Sequence, residues 1–281
     1  MRKLFVSDLD GTLLNNQSQV SAESTEILNR SIASGALFSI ATARTPATVS
    51  SLLSKIDMRL PGIVMTGGAF FDFKEKKITN PKFMEASTAS RLVEDWKRSG
   101  LSTFIYTLDH QGVLQVYHIG PLSEVEREFM KQRSHSPCKV FNVPDHGESI
   151  LPDDLSRTML MFGMQPDEKA LPFYRKICSD YGNSVITQYY HDIFGDSVAM
   201  VEMFPPGVTK ASALEKLASD VGADRLIVFG DNINDIPMMR IADEAVAVGN
   251  ASDEVKEAAT AVIGSNNSDA VAKFIRSETI N

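Results

Sequence analysis

The chain has 281 residues, of which 43% are hydrophobic and 23% charged, and its formal net charge is −8. Its length exceeds the usual single core of about 100–200 residues, which predicts two domains or one core with a large insertion. No run of residues approaches the ~20 apolar residues that cross a bilayer, which excludes a transmembrane helix. An acidic chain without basic clusters is not expected to bind nucleic acid or an anionic membrane surface.

The first part of the chain alternates strand-like and helix-like segments. Residues 2–7 contain the short apolar run Leu4-Phe5-Val6 and lead into an acidic loop, which is typical of a buried parallel strand. The apolar run is shorter than a signal-peptide core, so we expect a cytoplasmic protein. A helix that begins after Ser21 and ends at Gly35 is followed by a strand at 36–41, a second helix and a strand at 62–66. This alternation predicts an α/β fold with a doubly wound, Rossmann-like parallel sheet.

The alternation stops after Gly67. Residues 69–78 have the pattern of a hairpin, and the segment that follows mixes helices and strands as an α+β module of its own. A helix at 209–221 and an apolar strand at 225–229 then restore the first pattern. We therefore predict a Rossmann-like core interrupted by an α+β domain. The predicted boundaries are 1–82 and 197–281 for the core and 83–196 for the insertion.

Two aspartates follow the first predicted strand, at the sheet edge where open α/β sheets bind ligands. In an extended segment, Asp8 and Asp10 point to the same side, so one carboxylate can attack a substrate while the other transfers a proton. The alternative is an ordinary polar loop that caps a strand. The pattern Asp-Leu-Asp-Gly-Thr thus indicates a candidate catalytic loop.

A second acidic loop, Gly-Asp-Asn-Ile-Asn-Asp, follows a later strand and contains Asp231 and Asp235. If its carboxylates meet those of the first loop, each pair at 4 Å repels by about 1 kcal/mol in water and about 4 kcal/mol at an effective dielectric near 20. A bound cation removes this repulsion, and carboxylate oxygens suit Mg²⁺. A helix N-cap formed by Asp231 or Asn234 is the alternative, and both roles are compatible.

A phosphate group also needs positive charge and hydrogen-bond donors. Lys210 lies in the first turn of a predicted helix, where a cation opposes the helix dipole, and a bound anion would explain its position. Thr42 ends the second predicted strand, and its hydroxyl and the Ala43 amide can donate to phosphate. The alternatives are a solvated surface lysine and simple helix capping by Thr42.

The chain resembles the haloacid dehalogenase superfamily in four motifs, in this order: Asp8-Leu-Asp-Gly-Thr-Leu-Leu, Thr42-Ala-Arg, Lys210 and Asp231-Asn-Ile-Asn-Asp235. The insertion is similar to the type-II α/β cap of the Cof-type phosphatases, which sets substrate specificity. Family members usually have glycine where this chain has Ala43, a change that keeps the amide but restricts the backbone.

The resemblance implies a role for each motif residue. Asp8 would be the nucleophile, forming an aspartyl-phosphate, and Asp10 would act as general acid and then as general base. Mg²⁺ would be held by Asp8, the Asp10 backbone carbonyl and Asp231. The expected phosphate-binding groups are the Leu9 and Ala43 amides, Thr42, Lys210 and Asn234. Thr12 and Asp235 are expected in supporting roles, with Asp235 orienting Lys210 or a water on the metal.

The sequence thus predicts a Mg²⁺-dependent phosphatase for small phosphomonoesters such as sugar phosphates, nucleotides or phosphorylated cofactors. Two alternatives remain: phosphoryl transfer to a second substrate, as in related mutases, and a non-catalytic protein that binds phosphorylated metabolites. We expect a monomer or a small homo-oligomer.

Overall fold

The computed structural model describes residues 1–133, 138–144, 149–191 and 197–279. The helices in these ranges are α1 (Ala22–Ala33), α2 (Pro46–Leu52), α3 (Ala86–Ser99), α4 (Glu124–Arg133), α5 (Asp167–Tyr181), α6 (Lys210–Val221), α7 (Ile236–Arg240), α8 (Asp253–Ala258) and α9 (Ala270–Thr279). The strands are β1 (Lys3–Ser7), β2 (Leu37–Ile40), β3 (Gly62–Val64), β4 (Ala69–Asp72), β5 (Lys77–Thr79), β6 (Thr103–Leu108), β7 (Leu114–Ile119), β8 (Lys139–Phe141), β9 (Thr158–Pro166), β10 (Ile186–His191), β11 (Val198–Phe204), β12 (Arg225–Gly230), β13 (Glu244–Ala247) and β14 (Ala261–Val262). None of these helices is long and apolar enough to span a membrane.

The chain divides into two compact units. The core unit contains Met1–Asn80 and Thr209–Asn281, and the inserted unit contains Pro81–Val208. The first predicted boundary, between 82 and 83, lies close to the division between Asn80 and Pro81. The second, between 196 and 197, differs from the division between Val208 and Thr209. Residue 196 lies outside the described residues. The reason is that β11 pairs antiparallel with both β9 and β10 and so belongs to the inserted unit.

The core unit is built on a parallel sheet with the strand order β14-β13-β12-β1-β2. Leu4, Phe5 and Val6 in β1 are fully buried although successive side chains point to opposite faces, so both faces of the sheet are covered. Ser7 at the end of β1 lies opposite Phe229 in β12 and Ile40 in β2. The carboxyl ends of these three strands are therefore level, and the predicted doubly wound α/β fold is confirmed.

The third predicted strand differs from the expectation. β3 pairs antiparallel with β4 in a small sheet that β5 completes, and it meets the main sheet through an isolated parallel bridge between Ala41 and Ile63. Immediately after β3, Met65 and Thr66 have φ values of 51° and 58°, and Gly67 has a φ of 98°. This left-handed segment turns the chain back into β4, so β3 cannot extend along β2. The predicted hairpin is present as β4 and β5.

The inserted unit has its own sheet, with the order β10-β11-β9-β6-β7-β8 among the residues described. Ile105 in β6 packs into an apolar cluster with Trp96 of α3 and Ile177 of α5. Phe104, which points to the opposite face, has its ring centroid 5.5 Å from that of Phe129 in α4. The inserted sheet is thus covered by helices on both faces and has a core of its own.

Candidate active site

The predicted site residues lie at one edge of the core sheet. Asp8 follows β1, Thr42 follows β2 and Asp231 follows β12, and these strands end level with one another. Lys210 is the first residue of α6, whose N-cap is Thr209. Parallel strands place the residues that follow them at the same edge, so the strand order itself brings distant parts of the chain together.

Lys210 is buried, with 3% of its surface exposed. Its Nζ lies 2.9 Å from Asp8 Oδ1 and 2.7 Å from Asp235 Oδ1. Burial opposes the charge of the ammonium, but the charges of Asp235 and Asp8 outweigh burial and raise the pKa of Lys210 above its ordinary value. The alternative of a solvated surface lysine does not hold, because a buried lysine of this kind requires charged partners.

The pKa values of two aspartates in the site are raised above the ordinary value of a carboxyl group. Burial, with a further contribution from the charge of Asp235 and opposed by Lys210, raises the pKa of Asp8 to about 8. Burial also raises the pKa of Asp231 to about 6, against a lowering contribution from its hydrogen bond with Thr12. Buried carboxylates outnumber the one lysine between them, so the site as a whole favours an additional cation.

A metal ion fits this group of side chains. Asp8, Asp231 and Asp235 each offer a carboxylate oxygen, and these oxygens all lie within 4.8 Å of one another. Asp235 is already engaged, since its Oδ1 accepts from Lys210 and its Oδ2 accepts from the amides of Asp231 at 3.1 Å and Asn232 at 3.2 Å. Asp8 and Asp231 are therefore the better candidates for metal ligands, and Asp235 holds the loop and the lysine.

The loop after β1 fits closely against Asp231. Thr12 is buried and donates its hydroxyl to Asp231 Oδ1 at 2.6 Å. Gly11 has a φ of +74°, and a Cβ at this position would lie 2.3 Å from Asp231 Oδ2. Glycine is required at position 11 for both reasons, because another residue would strain the backbone and displace the carboxylate.

Thr42 is also buried, and its Oγ1 accepts a hydrogen bond from the Arg44 amide at 3.1 Å. A hydroxyl that accepts one hydrogen bond still has its own proton to donate, so Thr42 retains the capacity to bind an anion. Ala43 is not among the described non-glycine residues with a positive φ, and its backbone has a conformation open to alanine. The substitution of the family's glycine therefore causes no backbone strain.

Asp10 is placed differently from the other acidic residues. Its side chain is 55% exposed and forms an ion pair with Arg44, which donates from Nε to Oδ2 at 2.7 Å and from Nη2 to Oδ1 at 2.6 Å. Arg44 belongs to the Thr42-Ala-Arg motif, but the sequence predicted no role for it, although its position two residues after Thr42, at the edge that holds the acidic loops, was a usable signal. Asn234 is exposed on the loop after β12.

The structure thus joins some of the predicted residues by direct contact and leaves others beside them. Direct contacts connect Asp8, Thr12, Lys210, Asp231 and Asp235. Thr42 and Asp10 are linked through Arg44. Leu9, Ala43 and Asn234 lie on the same loops. The contacts place these residues together, but the catalytic, metal-binding, phosphate-binding and supporting roles predicted for all of them stay predictions.

The chain is similar to phosphatases along nearly its whole length. It is 28% identical over 295 residues to 5-amino-6-(5-phospho-D-ribitylamino)uracil phosphatase YwtE of Bacillus subtilis (strain 168), covering 97% of this chain and 96% of the relative. It is 25% identical over 286 residues to pyridoxal phosphate phosphatase YbhA of Escherichia coli (strain K12), covering 99% of each chain. These lengths leave no large domain unmatched in either protein.

The fold has solved counterparts. A haloacid dehalogenase-like hydrolase from Bacteroides thetaiotaomicron superposes with a TM-score of 0.78 at 23% identity, over 99% of this chain and 100% of that one. The family model of haloacid dehalogenase-like hydrolases matches residues 5–275, a span that includes both acidic loops, Thr42 and Lys210. The resemblance inferred from the four motifs is confirmed, and the chain belongs to the haloacid dehalogenase-like hydrolase family.

Proposed function

We propose that the chain is a Mg²⁺-dependent phosphatase that hydrolyses small phosphomonoesters through an aspartyl-phosphate on Asp8. The observation that carries this proposal is the buried contact of Lys210 with Asp8, with Asp231 close by. A lysine and a metal ion together neutralise the repulsion between an anionic nucleophile and an anionic ester, which is the main requirement of phosphoryl transfer.

In the first step, a carboxylate oxygen of Asp8 attacks phosphorus and the bond between phosphorus and the ester oxygen breaks. Asp10 donates its proton to the departing oxygen, so the alcohol leaves neutral. Lys210 lies 2.9 Å from the attacking carboxylate and reduces its charge as it approaches the phosphate. The products of this step are the free alcohol and phosphorylated Asp8.

In the second step, a water molecule attacks the same phosphorus atom. Asp10, now ionised, accepts a proton from the water, and the bond between phosphorus and the Asp8 oxygen breaks. Inorganic phosphate leaves, and both aspartates return to their starting states. The amides of Leu9 and Ala43, with Thr42, Lys210 and Asn234, are proposed to bind the phosphate oxygens during both steps.

The side chains present fit a magnesium ion. Asp8 and Asp231 would supply carboxylate oxygens and Asp10 its backbone carbonyl, all oxygen ligands of the type that Mg²⁺ prefers. When bound, Mg²⁺ would neutralise negative charge on the phosphate and on the nucleophile. Thr12 fixes the orientation of the Asp231 carboxylate through its 2.6 Å hydrogen bond to Oδ1.

Mg²⁺ is expected to stabilise the chain more at alkaline than at acidic pH. The pKa of Asp8 is raised from 3.8 to about 8 and that of Asp231 to about 6 in the metal-free fold. Between about pH 4 and pH 8 the folded chain therefore keeps protons that the unfolded chain has lost, so its free energy of unfolding falls as pH rises. Metal binding requires the ionised carboxylates, so Mg²⁺ binds more tightly at higher pH. The bound ion thereby offsets the fall in the free energy of unfolding.

The measurement is the midpoint temperature of unfolding in EDTA and in Mg²⁺, at about pH 5.5 and about pH 8.5. The increase caused by Mg²⁺ should be larger at the higher pH, and the difference should shrink in Asp231→Asn. An equal increase at both pH values would contradict the assignment of these two aspartates as the groups that the metal deprotonates.

The substrate is proposed only as a class. One relative is named for a phosphorylated ribitylaminouracil and another for pyridoxal phosphate, and both are small phosphomonoesters. We propose a small-molecule phosphate ester for this chain, with no nucleic acid or membrane partner. The inserted unit is proposed to set the choice among sugar phosphates, nucleotides and phosphorylated cofactors. A monomer or a small homo-oligomer remains the expected state.

The function is tested by measuring inorganic phosphate released from a panel of phosphomonoesters, with Mg²⁺ or with EDTA. We expect Mg²⁺-dependent release from at least one small ester and none in EDTA. Transfer of the phosphoryl group to an added sugar or alcohol without release of phosphate would favour a phosphotransferase. Saturable binding of an ester without turnover would favour a non-catalytic binding protein.

A further inference from the structure

Arg44 and Asp10 form a two-pronged ion pair. Nε and Nη2 of Arg44 donate to the two oxygens of Asp10 at 2.7 Å and 2.6 Å. Such a pair fixes the plane of the carboxylate as well as its distance, which a single hydrogen bond does not. The Arg44 side chain is 25% exposed and that of Asp10 is 55% exposed, so the arginine is the better anchored partner.

The backbone of Arg44 is fixed from two directions. Its amide donates to Thr42 Oγ1 at 3.1 Å, and its carbonyl accepts from the Met65 amide at 3.0 Å. Met65 and Thr66 have φ values of 51° and 58°, a backbone conformation that is costly for residues with a Cβ. The Thr66 amide donates to the Thr42 carbonyl at 3.0 Å. This strained segment therefore secures the loop from which Arg44 projects.

We propose that Arg44 is a positioning residue for the reaction, holding the carboxyl group of Asp10 in the orientation from which it transfers protons. This inference rests on the proposed function. An exposed carboxylate on a surface loop would otherwise rotate among several side-chain rotamers, and few of them aim an oxygen at the ester. The rigid link from Thr42 through Arg44 to Asp10 connects the phosphate-binding loop to the proton-transferring group.

The ion pair is compatible with proton transfer. Each carboxylate oxygen has two lone pairs, so an oxygen that accepts from Arg44 keeps a second position for another hydrogen. In the first step the proton on Asp10 moves to the ester oxygen as its bond to phosphorus breaks. In the second step a proton of the attacking water returns to Asp10. Arg44 stays protonated throughout, because guanidinium does not release its proton in proteins.

The test is a double-mutant cycle on an alkyl phosphate substrate, whose leaving oxygen needs a proton. We expect Arg44→Met to lower kcat by about 10–100-fold with KM unchanged, and Asp10→Asn to lower it by about 10²–10⁴-fold. Because Arg44 acts through Asp10, the double variant should be no slower than Asp10→Asn alone. Arg44→Lys keeps the positive charge but cannot donate to both carboxylate oxygens in one plane. Its kcat should therefore lie between those of Arg44→Met and the parent chain.

The matched control is Arg59→Met. Arg59 lies in the same unit and forms an exposed ion pair with Asp57 at 2.8 Å, so its replacement should leave kcat unchanged. A double variant clearly slower than Asp10→Asn, or a raised KM in Arg44→Met, would overturn the inference by placing Arg44 on the substrate. Full activity in Arg44→Met, with Asp8→Asn and Asp10→Asn inactive, would overturn this inference alone. Full activity in Asp8→Asn would overturn the proposed function as well.

Discussion

Replacing Asp8 by asparagine is expected to lower kcat by about 10⁴-fold or more, because the substitution removes the nucleophile itself. Asparagine has nearly the same shape, and its carbonyl oxygen can still accept from Lys210, whose Nζ lies 2.9 Å from Asp8 Oδ1. The fold should therefore persist. In metal-free buffer above about pH 8, Asp8→Asn should even be more stable than the parent chain, since burial of the ionised carboxylate no longer costs free energy.

The measurement is phosphate release at saturating substrate with Mg²⁺, with circular dichroism to verify folding. Asp220→Asn is the matched control, because Asp220 is an exposed aspartate that pairs with Lys216 at 3.0 Å on the surface of α6. It should retain full activity. Asp8→Asn at even a tenth of the parent rate would mean that another group attacks phosphorus.

Replacing Lys210 by methionine is expected to lower the free energy of unfolding of the metal-free chain by about 3–5 kcal/mol, because two buried carboxylates lose their counter-charge. Asp235 is fully buried and Asp8 is 6% exposed, so water cannot replace the ammonium without disrupting the site. Activity should also fall sharply, since the phosphate loses its buried cation.

Urea unfolding in EDTA measures the change in stability. Lys216→Met on the same helix is the matched control, because the Lys216 pair with Asp220 is exposed, and we expect it to cost no more than about 1 kcal/mol. Mg²⁺ should recover part of the stability of Lys210→Met, because the ion replaces some of the lost positive charge. Equal losses in the two variants would show that Lys210 does not balance the buried carboxylates.

Much of this site was predictable because its residues follow buried parallel strands. An apolar run such as residues 4–6 indicates a strand. Because the carboxyl ends of parallel strands lie at one edge of the sheet, Asp8 and Asp231 can be placed together without knowledge of the full topology. The helix predicted between Ser21 and Gly35 is present as α1, Ala22–Ala33, with Ser21 as its N-cap. These features depend on local periodicity, which a single sequence records well.

The remaining features depend on contacts distant in sequence or on backbone conformation. The apolar pattern of β11 suits either sheet, and only its pairing with β9 and β10 assigns it to the inserted unit. The short β3 ends where Met65 and Thr66 turn left-handed, a conformation that neither residue type signals. The orientation of Asp10 toward Arg44 is a choice of side-chain rotamer, on which sequence spacing has no influence.

The residue that carries the phosphoryl group during turnover can be identified directly by chemical trapping. The Asp10→Asn variant is mixed with 4-nitrophenyl phosphate and Mg²⁺, since this leaving group departs without a proton while the second step is slowed. The reaction is quenched in acid, and the acyl phosphate is reduced with borohydride and digested for mass spectrometry. We expect homoserine in place of Asp8 in the peptide that follows Lys3. Phosphate release with Asp8 unmodified, or with the reduced residue at another position, would contradict the proposed role of Asp8 as the nucleophile.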